Sequence, residues 1–299
     1  MNTIFFHAQK KRGEEMKSRA AKLMEDFIEC GKYPHLKKSE KKIKILTDAM
    51  KERLMASKHK RHEFKKYGLV GRFVAKKIYD TDVVGLNEYL FDIGLLLRVV
   101  EIDEKKLLQE NFLLYDMIQD FRLPETFYVK PSFNKDGRAL GEVRNFEVDS
   151  RWGMEDMARG LALLKPQVKR LTHEYERIKK IIANSPEVKR MERLPKDKRK
   201  SIKHKYGSLS IVANTPRYDV AAIFDRFGED LLIEYGSPNG KKLEAFVLNG
   251  TISRKDIEMF KTVKDIRLDF AVMTIEDEKK MLEFLHEKEM TAAMNRMWV

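Results

Sequence analysis

The chain has 299 residues, of which 42% are hydrophobic and 36% are charged, and its formal net charge is +13. This apolar content is enough to build a buried core and excludes a wholly disordered chain, while the single cysteine, Cys30, excludes an internal disulfide framework. No apolar run approaches the ~20 residues of a membrane span and the N-terminus lacks the apolar core of a signal peptide, so we expect a cytoplasmic protein with no membrane partner.

The N-terminal region is predicted to be helical and basic. Residues 14–30 carry apolar side chains at three- and four-residue steps, which indicates an amphipathic helix. A second helix is predicted over 38–66, and it ends in the basic sequence KHKRHEFKKYG. We call residues 58–66 basic block 1, and its candidate nucleic-acid-binding residues are Lys58, Lys60, Arg61, Lys65 and Lys66.

Residues 69–98 are predicted to form two further helices, 69–79 and 83–98, separated by a capping turn. This order has the outline of a helix-turn-helix unit, and plain helical core is the alternative. The second helix carries two carboxylates, which DNA phosphates would repel. We therefore assign the binding role in this unit to cations of the first helix, namely Arg72, Lys76 and Lys77.

Residues 126–148 show a change from helical to strand periodicity. Aromatic and β-branched residues lie on both sides of Asp136-Gly137, which indicates a β-hairpin. Two interpretations remain open, the wing of a winged-helix unit and an ordinary surface hairpin. Pro131 restricts the first strand to an edge or a bulge.

The most regular pattern follows in residues 154–182, where apolar residues alternate at steps of three and four over four heptads. Such a pattern predicts a long helix with a continuous apolar seam. Either the segment Met157–Ile182 joins two copies as a homodimer, or the seam packs inside one chain against an antiparallel helix. Pro166 lies inside the run and predicts a kink or a fresh helix start.

Basic block 2 comprises residues 189–205, where nine of seventeen residues are cationic and two are acidic. Pro195 divides it, so we predict a short helix followed by a loop that stays solvated until an anionic partner binds. Its candidate nucleic-acid-binding residues are Lys189, Arg190, Arg193, Lys196, Lys198, Arg199, Lys200, Lys203 and Lys205.

The predicted fold class is mainly α with an α+β C-terminal domain. We expect three consecutive segments: a helical basic domain with a hairpin at 1–150, the heptad helix and basic linker at 151–205, and an α+β domain at 206–299. In the last segment, SLSIVANT and IRLDFAVM predict strands, VAAIFDRF and residues 275–288 predict helices, and the sequence around SPNG predicts a hairpin.

Motifs for catalysis are absent from the sequence. It has no phosphate-binding loop, dinucleotide fingerprint or nucleophile elbow. Metal binding at Cys30, His35, His59 and His62 is disfavoured because the last two lie among cations. We therefore predict no enzyme activity, no cofactor and no metal. A divergent metal-dependent nuclease is a third hypothesis, with carboxylates at Asp219, Asp225, Asp230, Glu234 and Glu244.

The distribution of charge decides the predicted function. Residues 1–66 have a net charge of +10 and residues 189–205 have +7, while the remaining segments are slightly acidic. Focused positive charge attracts a polyanion, so we predict a non-catalytic DNA-binding protein, a regulator or an accessory factor of a mobile element. Duplex DNA is preferred because exposed stacking aromatics are not evident. The alternative is a protein-interaction or assembly subunit with a basic solvated surface.

Overall fold

The computed structural model describes residues 18–144, 146–149 and 151–297. They form two compact units, each built from two separate stretches of chain. Unit 1 contains residues 18–56 and 126–214, and unit 2 contains residues 57–125 and 215–297. This interleaved division differs from the three consecutive segments expected from the sequence. The mixed, helix-rich α+β class is confirmed, with three small antiparallel sheets among the described residues.

The elements in chain order are as follows. The helices are α1 Arg19–Glu29, α2 Lys32–Met55, α3 Val83–Asp92, α4 Leu96–Val99, α5 Glu104–Glu110, α6 Phe112–Met117, α7 Lys135–Ala139, α8 Met154–Ala183, α9 Pro186–Glu192, α10 Val220–Phe227, α11 Glu229–Tyr235, α12 Gly240–Leu248, α13 Arg254–Glu258 and α14 Ile275–Met297. The strands are β1 Arg61–Phe64, β2 Leu69–Thr81, β3 Val100–Ile102, β4 Phe127–Phe133, β5 Ile202–His204, β6 Gly207–Ala213, β7 Gly236–Pro238 and β8 Lys261–Thr274. Short 3-10 turns occupy Lys65–Tyr67, Ile118–Phe121 and Lys196–Lys198.

Unit 1 is organised around an antiparallel pair of long helices, α2 and α8. Lys32 forms an ion pair with Glu174, and Arg53 near the other end of α2 donates to the carbonyl of Trp152. A Cβ at Gly160 would lie 3.0 Å from a methyl carbon of Leu46, so glycine permits a close helix approach.

The heptad residues of α8 are used in this internal packing. Met157, Leu161, Leu171 and Ile182 are buried within one chain. The seam therefore needs no second copy to explain it, and homodimerisation stays a prediction. The helix is continuous from residue 154 to 183, so no fresh helix starts at Pro166.

The sheet of unit 1 replaces the predicted hairpin. Strand β4 pairs with β6, which lies about 80 residues later, and β6 also pairs with β5. The expected turn is helix α7, where Asn134 accepts a hydrogen bond from the Gly137 amide at 2.8 Å. A Cβ at Gly137 would lie 2.5 Å from the Tyr206 carbonyl oxygen, so this glycine serves close packing rather than a hairpin turn. The hairpin and its wing are therefore wrong.

Unit 2 begins with a sheet of order β1-β2-β8, where the sequence predicted helices. Helix α2 ends at Met55 instead of 66, and residues 69–81 form a strand that pairs antiparallel with β8 along its whole length. The helix-turn-helix unit is therefore wrong, and the alternative of plain helical core fails for residues 69–81 but holds for the helix after residue 82. The predicted cap is present, because Asp82 accepts from the Gly85 amide, but α3 ends at Asp92 rather than 98.

The core of unit 2 is formed by α3, α4 and the helices after residue 219, with buried residues such as Leu90, Leu96 and Leu232. The hairpin around SPNG is wrong, since helices α11 and α12 flank the short strand β7. The predicted final strand and helix are both present but longer than expected. Thr274 caps α14 by accepting from the Asp277 amide at 2.9 Å.

Candidate nucleic-acid interface

Basic block 2 is held on unit 1 by a few buried side chains. Val188 in α9 and Ile202 in β5 belong to the core of this unit, and His204 in β5 is also buried. Burial lowers the pKa of His204, whose Nδ1 accepts from the Tyr206 amide at 3.3 Å. The expected short helix is present as α9, whereas strand β5 was not predicted because only three alternating residues carry its pattern.

Six of the nine cations of block 2 are exposed and make no ion pair with any carboxylate that the structure describes. These are Arg190, Arg193, Lys196, Lys198, Lys200 and Lys203. We call them the open cations. Arg190 lies in α9, Lys196 and Lys198 lie in the 3-10 turn and Lys203 lies in β5, while Arg193 and Lys200 lie in the connections between these elements.

The other three cations of block 2 have partners inside unit 1. Lys189 pairs with Glu192 at 3.0 Å, and Lys205 pairs with Glu29 at 3.0 Å. The Lys205 pair lowers the pKa of Glu29 and raises that of Lys205. Arg199 donates from Nε to the Leu194 carbonyl at 2.7 Å, and its guanidinium lies 4.4 Å from the ring centre of Phe127. We therefore assign Lys205 and Arg199 to holding the segment in place, while the Lys189 pair stays within α9.

Basic block 1 lies on the sheet of unit 2, where two predicted contact residues, Arg61 of this block and Arg72 of β2, bind an internal carboxylate instead. Glu278 in the first turn of α14 is only 3% exposed. Arg61 donates to it from Nε at 3.1 Å and from the terminal nitrogen at 2.7 Å, and Arg72 lies 3.4 Å away. These contacts lower the pKa of Glu278 and raise that of Arg61. Arg61 and Arg72 therefore fasten α14 to β1 and β2.

The remaining predicted cations of this sheet are exposed. Lys65 lies 3.9 Å from Glu63, whereas the ammonium groups of Lys60 and Lys66 approach the rings of Phe73 and Tyr67. No described carboxylate forms an ion pair with the others, Lys58, Lys76 and Lys77.

Strand β8 adds cations that the sequence analysis missed, because they lie about 190 residues away in the chain. Lys76 in β2 is the direct cross-strand partner of Arg267, and Lys261 and Lys264 lie further along β8. We call residues 58–81 and 261–274 the basic sheet. It holds 11 Lys and Arg against 4 Asp and Glu, whereas the rest of unit 2 holds 14 against 24. Unit 2 is therefore acidic apart from this sheet.

The central part of β2 and β8 is a two-stranded ribbon, and within the part of the chain that the structure describes both of its faces are exposed to solvent. Residues 74–80 and 262–268 are all exposed. Both faces mix charge with apolar side chains: one carries Lys76 opposite Arg267, and the other carries Lys77 opposite Ile266. A two-stranded ribbon has dimensions that the major groove of B-DNA can admit.

The residues considered for metal binding or catalysis do not come together. His59 and His62 lie before and within β1 rather than on a helix, and His62 Nε2 contacts the His59 carbonyl. Asp219 caps α10, and Glu244 pairs with Lys288. Among the residues that the structure describes, no three His, Cys, Asp or Glu side chains are grouped to hold an ion.

Comparison with known proteins found no matching family model, no similar curated sequence and no similar solved structure. None of the helices described here combines the length and apolar character needed to cross a membrane.

Proposed function

We propose that the protein binds nucleic acid without chemistry, through phosphate contacts, and that duplex DNA is its preferred partner. The observation that carries this proposal is the set of six open cations on an anchored segment of unit 1. Cations without internal partners can neutralise phosphates and release condensed counterions, which is the main source of sequence-independent affinity. A regulator and an accessory factor of a mobile element both fit this role.

The basic sheet is the second proposed contact. Its exposed lysines, including Lys65, Lys66, Lys76 and Lys77, would meet phosphates, while Arg61 and Arg72 are withdrawn from the contact set because Glu278 holds them. Both basic blocks retain enough exposed cations for several phosphate contacts. Affinity is then expected to fall by roughly 10³- to 10⁵-fold between low and moderate salt if about 6 to 10 phosphates are neutralised.

Charge reversal of three open cations tests the proposal. The variant is K196E/K198E/K200E, and the matched control is R226E/K241E/K255E, which reverses three exposed cations of unit 2 outside the basic sheet. Fluorescence anisotropy with duplex DNA, single-stranded DNA and RNA is measured at two salt concentrations. We expect the first variant to lose at least about 100-fold in duplex affinity and roughly 3 units of salt slope.

The control separates a local contact from a general effect of net charge. We expect it to retain most of the duplex affinity, because its cations lie outside both proposed contacts. Equal loss in both variants, or wild-type binding that does not depend on salt, would contradict the proposal.

A second candidate function, assembly with a protein partner, is favoured by the surface of α14. Leu282, Phe284, Leu285, Met290 and Met294 are each about half exposed on this helix. Leu282 and Leu285, and likewise Met290 and Met294, are spaced to share a helix face, and adjacent exposed apolar residues can mark a protein contact. Light scattering over a concentration series, for wild type and for F284E/L285E, tests self-assembly: a mass that rises with concentration only in wild type would support it.

A further inference from the structure

A cleft in unit 1 brings together three cations from two helices. It has a volume of about 390 Å³ and lies among the start of α1, the end of α8 and the beginning of α9. Arg19, Arg177 and Lys180 line it, and none of them forms an ion pair with a described carboxylate. All three are exposed, so their charge is available to a ligand in the cleft.

The carboxylate of Glu187, at the start of α9, is engaged by groups of α1 and its cap. Glu187 accepts from the Ser18 hydroxyl at 2.5 Å, from the Arg19 amide at 2.8 Å and from the Ala20 amide at 3.2 Å. These bonds lower its pKa, so it is ionised at neutral pH. Because Glu187 binds the backbone of α1, the guanidinium of Arg19 keeps its own hydrogen-bonding capacity for another anion.

The helix dipoles explain only part of this arrangement. Arg177 and Lys180 lie in the last two turns of α8, where the dipole favours cations. Arg19 is the first residue of α1, where the dipole disfavours a cation. Glu187 already offsets the position of Arg19 at this helix start, so a bound anion would compensate for the mutual repulsion of the three cations.

We propose that this cleft binds a phosphate group. Two guanidinium groups can each donate two parallel hydrogen bonds to phosphate oxygens, and Lys180 adds a point charge. Leu23, Ile181 and Pro186 form an apolar wall beside the cations, so the group attached to the phosphate has an apolar surface to lie on. The phosphate belongs either to a nucleic-acid strand, a source that rests on the proposed function, or to a free phosphorylated molecule.

The test compares two pairs of cations on the same helix. R177A/K180A removes two cleft cations, and the matched control K169A/R170A removes two exposed cations of α8 that do not line the cleft. Isothermal titration calorimetry measures inorganic pyrophosphate binding, and anisotropy measures binding of a 20-base-pair duplex. We expect R177A/K180A to weaken pyrophosphate binding at least about tenfold and the control to change it less than about twofold.

Each outcome has a definite meaning. Loss of both pyrophosphate and duplex affinity in R177A/K180A supports the cleft and a nucleic-acid source, and loss of pyrophosphate affinity alone supports the cleft and a free phosphorylated ligand. Pyrophosphate binding that is absent in wild type, or equally weakened in both pairs, overturns the assignment whatever the DNA result. Wild type that binds pyrophosphate in the cleft but no nucleic acid counts against the proposed function alone.

Discussion

Units 1 and 2 differ in what they present to solvent. In the described residues, unit 1 holds 31 Lys and Arg against 17 Asp and Glu, whereas unit 2 holds 25 against 28. Unit 2 instead carries 21 of the 26 large apolar side chains that are exposed in the described residues. Under the proposed function, a polyanion would contact unit 1 through the open cations and unit 2 only through the basic sheet.

The contrast also appears in how each unit treats its cations. In unit 1, Lys205 and Arg199 join basic block 2 to Glu29 and Phe127 and six cations stay open, whereas in unit 2 Arg61 and Arg72 fix Glu278. A count of Lys and Arg along the chain does not distinguish the cations of one basic block from those of the other. The ion pairs separate cations that hold the fold from cations that remain available.

The largest expected effect tests whether unit 1 is held together by its internal helix pair. Leu161 on the seam of α8 is fully buried, so Leu161→Ala should lower the free energy of unfolding by about 2–5 kcal/mol. Urea unfolding at two protein concentrations measures it. Hydrogen exchange should show lost protection in unit 1 peptides first.

The outcome also decides between the two interpretations of the heptad pattern. An internal seam gives an unfolding midpoint that does not depend on protein concentration. A midpoint that rises with protein concentration would indicate that the seam joins two copies, and it would contradict the packing of α8 against α2 within one chain.

The next effect concerns the ion pairs that fix α14 in unit 2. Glu278→Gln removes the charge that Arg61 and Arg72 share, and it should cost about 1–3 kcal/mol at pH 7. Because the folded state lowers the pKa of Glu278 below 4.5, its contribution is complete above that value and is lost as pH falls through the folded pKa. Urea unfolding at pH 7 and pH 4 should therefore show a smaller difference between wild type and variant at pH 4.

A control for this prediction is Glu276→Gln, which removes an exposed carboxylate of the same helical turn paired only with Lys280. Its effect should stay within about 1 kcal/mol at both pH values, as is usual for exposed pairs. Equal costs for the two variants would mean that Glu278 does not fasten the helix.

Only part of the fold could be predicted from the sequence. The amphipathic first helix, the long helix of 154–183, α10 and the final strand and helix follow from local periodicity and caps, which a single segment carries by itself. Strand β2 was predicted as a helix because its sequence, LVGRFVAKKIY, fits either period over a short run. Its partner β8 lies about 190 residues away, and that pairing decides the outcome.

The candidate site shows the same limit. Basic block 2 was found from composition, because its charge is contiguous in sequence. The basic sheet could be found only in part, since Lys261, Lys264 and Arg267 join it through β2–β8 pairing. The engagement of Arg61 by Glu278 spans 217 residues, and no local signal reports it. The phosphate cleft likewise combines Arg19 with residues near 180, which only the packing of α1 against α8 brings together.

A smaller effect concerns the pH dependence of the segment that carries the open cations. Burial lowers the pKa of His204, opposed by the nearby Glu25 carboxylate, so the neutral ring stabilises unit 1. This contribution to the free energy of unfolding is complete above about 6.5, the pKa of a histidine in the unfolded chain. It is lost as pH falls below that value, by at most about 1.4 kcal/mol per pH unit. In His204→Phe, the protection of the backbone amides of residues 200–212 against hydrogen exchange should change less between pH 7 and pH 5 than it does in wild type. If the pH dependence is the same in the variant and in wild type, groups other than His204 cause it.

The smallest effect separates an intrachain pair from an interchain one. Glu174 lies 2.6 Å from Lys32 of the same chain, whereas Lys179 contacts Glu176 on its own helix. A double-mutant cycle of Lys32→Ala with Glu174→Ala should give a coupling of about 0.2–1 kcal/mol, because both side chains are partly exposed. The cycle of Lys179→Ala with Glu174→Ala should give no coupling above error. A coupling confined to Glu174 and Lys179 is the pattern that pairing across two copies requires, since heptad e and g positions meet between helices of different chains.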